Sequence, residues 1–93
     1  MDRTASAEWR GALKDGNGII STQSGTLKET QYSFSARFES GVGTNPEELI
    51  AAAHAGCFTM ALSAQLGEAG LTAVSLKTEA KVTLEKTEGG FGI

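Results

Sequence analysis

Asn45-Pro46-Glu47-Glu48-Leu49-Ile50-Ala51-Ala52-Ala53-His54-Ala55-Gly56-Cys57-Phe58 is the stretch on which the reading of this chain turns. It opens as a helix opens. Asn45 suits the N-cap, Pro46 the first helical position, and Glu47 and Glu48 the positive end of the helix dipole. Glu48 lies three residues after Asn45, as in a capping box. The spacing predicts a helix over about 45–67, with Gly70 as its end signal. Its first half carries small residues, Ala51, Ala52, Ala53, Ala55 and Gly56, which let another backbone approach closely. Leu49, Phe58, Met60, Leu62 and Leu66 add bulk. Such a helix is expected to be buried in protein on most sides.

Residues 1–40 read as strands. Ala5, Ala7 and Trp9 alternate with Ser6, Glu8 and Arg10, the period of a half-buried strand. Lys14-Asp15-Gly16-Asn17-Gly18 is a turn, Ile19 and Ile20 open a second strand, and Gln23-Ser24-Gly25 is the next turn. Tyr32, Phe34, Ala36 and Phe38 alternate with Ser33, Ser35, Arg37 and Glu39. This predicts a strand with its aromatic face inward and Arg37 on the opposite face. Over 74–93 the strand pattern returns: Leu76, Thr78, Ala80, Val82 and Leu84 alternate with Lys77, Glu79, Lys81, Thr83 and Glu85. A turn at Thr87-Glu88-Gly89-Gly90 and three residues of a new apolar segment then close the sequence, the pattern of a domain cut short. The expected class is α+β, one domain over 1–93.

Composition narrows the function classes. The net charge of −3 over 93 residues and the lack of a basic cluster argue against a nucleic-acid face. The polar Met1-Asp2-Arg3-Thr4 start is no signal peptide. A single cysteine and no export signal fit a reducing cytoplasm. Leu49–Leu66 approaches the length of a membrane span, about 18 residues, but His54, Thr59, Ser63 and Gln65 interrupt it, so no membrane partner is expected. Gly16–Gly18 and Gly41–Gly43 lack the third glycine of a nucleotide loop. A chain this small leaves much surface exposed, which points toward self-association.

Cys57 is either inert packing or a nucleophile. A cysteine reacts as thiolate, and its ordinary pKa of about 8.5 leaves little thiolate at neutral pH. Cys57 lies too far into the helix to use the dipole of its own N-terminus. Activation must come from a side chain, and His54, one turn earlier, and Arg37 are the candidates. A helical histidine within an alanine run is more often a polar group satisfied by a neighbour, and that is the leading reading of His54. Glu47 stands ten residues before Cys57, about 15 Å along a straight helix. It either favours the helix start or meets the Cys57 of a second, antiparallel copy.

The run Gly43–Phe58 with Met60-Ala61-Leu62 resembles the signature of the OsmC/Ohr family of thiol-dependent hydroperoxide reductases. The resemblance extends to Ala7-Glu8-Trp9, Gly25 with Leu27, Arg37-Phe38-Glu39 and Gly67-Glu68-Ala69-Gly70. It is closest to the osmotically inducible OsmC branch. It implies an intertwined homodimer, with sheet wrapped around long central helices and active sites at the dimer interface. It implies that Cys57 is the peroxidatic cysteine, which becomes a sulfenic acid. Arg37 would stabilise the thiolate and orient the peroxide, and Glu47 would position Arg37. The implied substrates are organic hydroperoxides, with hydrogen peroxide a poorer one, in oxidative and osmotic stress defence. The reductant would be an external thiol of dihydrolipoyl type, with no metal, flavin or haem. The family's second, resolving cysteine, in a Gly-Cys-Pro context, has no counterpart here. The alternative is therefore a non-catalytic module that dimerises through its alanine-rich helix.

Overall fold

The computed structural model describes all 93 residues. Its elements run β1 (Ala5–Arg10), β2 (Asn17–Thr22), β3 (Thr30–Tyr32), α1 (Phe34–Phe38), α2 (Pro46–Glu68), β4 (Glu85–Thr87) and β5 (Gly90–Gly92). This is the α+β arrangement expected from the sequence. Two compact units divide the chain, Met1–Pro46 and Glu47–Ile93.

In the first unit, β1, β2 and β3 form an antiparallel sheet in that order. Trp9 stands opposite Gly18, and Gly18 opposite Tyr32. The two rings meet edge to face over the glycine, with centroids 5.4 Å apart. A Cβ on Gly18 would lie 2.5 Å from the Tyr32 ring and 2.6 Å from that of Trp9. The glycine is thus the gap through which the aromatic pair closes.

The strand expected through Phe38 stops at Tyr32, and α1 takes its place. Register explains the correction. Since Gly18 faces Tyr32, residues beyond Tyr32 would face the turn before Asn17, where no partner strand exists. Their backbone groups need another outlet. Ser33 supplies it: its hydroxyl accepts the Ala36 N–H at 3.1 Å, an N-cap. Phe34 and Phe38 serve either reading, because a spacing of four is both two strand repeats and one helical turn. Their rings pack at 4.7 Å, and Ala36 is buried beneath the turn. The chain then returns past β3, where the Thr44 N–H donates to the Gln31 carbonyl at 3.0 Å. The Asn45 amide donates to the Ala36 carbonyl, also at 3.0 Å.

In the second unit, α2 runs within a residue of the expected boundaries. It ends in a Schellman motif: Gly70 takes φ +80°, the Gly70 N–H donates to Gly67, and the Leu71 N–H to Leu66. The expectation of a buried helix is not met. Glu47 alone is buried in α2, while Ile50, Phe58, Met60 and Leu62 are exposed. The helix is long and apolar enough to cross a membrane by length and composition.

The expected strand over 76–85 is also absent as a strand. Leu76, Thr78, Ala80, Val82 and Leu84 are half-buried and the residues between them exposed, so the alternation is present. What is missing is a ladder, because no neighbouring segment offers its edge. Instead the Thr59 hydroxyl, which donates to the Ala55 carbonyl at 2.7 Å, is hydrogen-bonded to the Thr78 hydroxyl at 2.6 Å and moors the segment to α2. Only the hairpin β4–β5 pairs.

Gly18→Val should lower the stability of the first unit by about 2 kcal/mol, an overpacking cost. Denaturant unfolding followed by Trp9 fluorescence measures it. An unchanged midpoint would mean that the aromatic pair does not need the gap.

Candidate active site

The sequence singles out Cys57, Arg37, Glu47 and, as an open question, His54. Cys57 lies in the middle of α2 and is exposed. Glu47 lies in the first turn of the same helix and is buried, at 7% exposure. The helix is continuous between them, so their separation is about 15 Å along the axis. A single α2 therefore does not bring this carboxylate to this thiol. His54, one turn before Cys57, lines a shallow 340 Å³ cavity with Phe58 and the Thr78–Val82 segment.

Arg37 is where the sequence reading needs most revision. An alternating strand would turn it away from the aromatic residues. In α1 it joins them instead, and its guanidinium carbon lies 5.4 Å from the centroid of the Phe38 ring, a cation–π contact. With Trp9, Leu13, Tyr32, Ser33, Phe34 and Phe38 it lines a cavity of about 230 Å³. Lys14 sits 5.9 Å from the Phe34 ring centroid at the same cluster. No acidic residue lines this cavity.

Leu13 and Tyr32 were not legible as neighbours of Arg37 in this cavity. The signal that could have found them is the pairing of Trp9 and Tyr32 across Gly18, which needs strand register as well as residue type. No three His, Cys, Asp or Glu side chains cluster as a metal ion would require.

Residues 38–93 match the family model described as OsmC-like protein. The chain belongs to the OsmC family. Along its whole length it is 54% identical to a protein named Peroxiredoxin OsmC from Escherichia coli (strain K12), and equally to one of the same name from Shigella flexneri. In both cases it spans 65% of the relative's length. The family match takes in Glu47, His54 and Cys57. Arg37 lies one residue before it, inside the full-length alignment to the two relatives.

An exposed Cys57 should be alkylated by iodoacetamide in the folded protein within a few-fold of its rate in denaturant. Mass spectrometry of quenched time points checks this. Labelling only after unfolding would identify a packed, inert thiol.

Proposed function

We propose that the chain carries the peroxidatic half of a cysteine-based hydroperoxide reductase. The observation that carries this reading is the OsmC motif of α2 with its cysteine exposed rather than packed. The Cys57 thiolate attacks the outer oxygen of an organic hydroperoxide. The S–O bond forms as the O–O bond breaks. The alkoxide leaves and takes a proton to become the alcohol, and the sulfur becomes sulfenic acid. Arg37 acts by charge, holding the thiolate and the developing alkoxide, and Glu47 orients its guanidinium. Hydrogen peroxide, without an apolar body, is the poorer substrate.

The cycle needs a reductant. With one cysteine in the chain, an external thiol condenses with the sulfenic acid and releases water. A second thiol then frees Cys57 as thiol and leaves the reductant as disulfide. A dihydrolipoyl-type dithiol supplies both from one molecule. We place this chemistry in the reducing cytoplasm and in a homodimer, with the two units as parts of one domain. The exposed Ile50, Phe58, Met60 and Leu62 of α2 support self-association. So does the distance of Glu47 from Cys57 along one helix, which a second copy would bridge.

One equivalent of cumene hydroperoxide should convert Cys57 to a sulfenic acid trapped by a dimedone probe. Arg37→Ala should slow that step about a hundredfold, with Cys57→Ser as the blank. A rate no faster than a free thiol's would favour the non-catalytic dimerisation module. Independently, light scattering at micromolar concentration should return the mass of a dimer, and a monomer alone would overturn the shared site.

A further inference from the structure

Residues 76–84 of the second unit, Leu-Lys-Thr-Glu-Ala-Lys-Val-Thr-Leu, form an edge that no strand of the chain pairs. Half-buried and exposed positions alternate at every residue, so the backbone is extended with one face inward. None of these residues shares a backbone–backbone hydrogen bond with another part of the chain. The tether to Thr59 is made by the Thr78 side chain on the inward face, and it leaves the edge open. The segment also reads alike in both directions about Ala80. Leu76 mirrors Leu84, Thr78 mirrors the equally β-branched Val82, and Glu79 mirrors Lys81. Two copies laid antiparallel, with Ala80 opposite Ala80, therefore match face for face. On the inner face Leu76 meets Leu84, and Thr78 meets Val82. On the outer face Glu79 of each copy meets Lys81 of the other, and Lys77 meets Thr83. The contact of Lys77 with Glu79 at 4.0 Å joins two exposed side chains, so it is weak and leaves Glu79 available. The neighbouring registers that keep the inner face inward are poorer. Centred on Glu79, the pair sets Glu79 against Glu79 and Lys77 against Lys81. Centred on Lys81, it gains Lys77 against Glu85 but sets Lys81 against Lys81 and parts Leu76 from Leu84.

We propose that residues 76–84 are a self-pairing edge, which takes the same segment of a second copy of this chain, antiparallel and centred on Ala80. Two open edges become one two-stranded ribbon, and directly opposite residues point to the same side, so α2 of each copy lies against its inner face. Glu79 and Lys81 fix the register, because they are the charges that meet twice across the two-fold axis. The inference uses no thiol chemistry and stands apart from the peroxidase reading. It gives the proposed homodimer a contact distinct from the exposed face of α2.

Cross-linking reads the register directly. In a Cys57→Ser background an introduced cysteine is the only thiol, because Cys57 is the single cysteine. Full-length Glu79→Cys and Lys81→Cys chains are prepared separately, then mixed with oxidised glutathione, and mass spectrometry identifies the products. Directly opposite residues have Cα atoms about 4.5–5.5 Å apart, within reach of a disulfide. Two cysteines at 79, or two at 81, stand diagonally at roughly 7–8 Å and bridge poorly. The mixture should therefore yield its mixed disulfide about tenfold faster than either chain alone yields its own. Charge exchange gives a second readout, by sedimentation over a range of concentrations. Lys81→Glu faces Glu79 with a carboxylate twice per ribbon and should raise the dissociation constant about tenfold. Adding Glu79→Lys to the same chain should restore it. Both positions are exposed, and circular dichroism verifies that each variant is folded. A mixture that bridges no faster than the single variants, or an exchange that fails to restore association, would overturn the inference. A dimer that persists through both failures belongs to the exposed face of α2, so the homodimer stands and the ribbon falls. Cross-linking as expected, with no sulfenic acid on the unaltered chain, sinks the peroxidase reading and leaves the ribbon.

Discussion

Backbone hydrogen bonding sets the limits of nearly every element in this chain. A strand lasts only as far as a neighbour's amides and carbonyls extend, and beyond that point its polar groups must be satisfied otherwise. β3 illustrates this in the first unit. Its partner β2 begins at Asn17, so the ladder ends at Tyr32 and the chain turns into a capped helix. The segment from Leu76 to Leu84 illustrates it in the second unit. There the side-chain pattern of a strand is present and the neighbour is missing, so no ladder forms, and a side-chain hydroxyl contact alone ties the segment to α2. Both outcomes follow from which edges exist rather than from intrinsic propensity.

The first of these limits bears on function. Had the strand continued, Arg37 would face away from Phe34 and Phe38. The Ser33 cap and the single helical turn rotate it onto the Phe38 ring and into a cavity with Trp9 and Tyr32. A guanidinium beside an apolar wall is a different chemical environment from one in open solvent. It favours ligands that bring both a polar oxygen and a hydrocarbon body.

Much of this was readable in the residues. The start of α2 follows from Asn45, Pro46 and the two glutamates, and its end from Gly70, because capping chemistry is local. The first hairpin follows from Trp9 and the Gly-Asn-Gly turn. The motif around Cys57 pointed to the family directly. What could not be read depended on partners distant in sequence. Phe34 and Phe38 satisfy helix and strand periods alike, so only the register of β2 decides between them. The burial expected of α2 depends on whatever covers Ile50, Phe58 and Met60, and the helix's own sequence names no such surface. Lys14 reads as a turn residue until Phe34 is placed beneath it.

The unpaired run from Leu76 to Leu84 has one more property. Its outward row is Lys77, Glu79, Lys81, Thr83 and Glu85, with the Lys77 ammonium 4.0 Å from the Glu79 carboxylate. Signs alternate along that row. A foreign strand that docked out of step would set like charges opposite one another or strip water from several ions at once. The bare edge therefore carries its own guard against amyloid-type stacking.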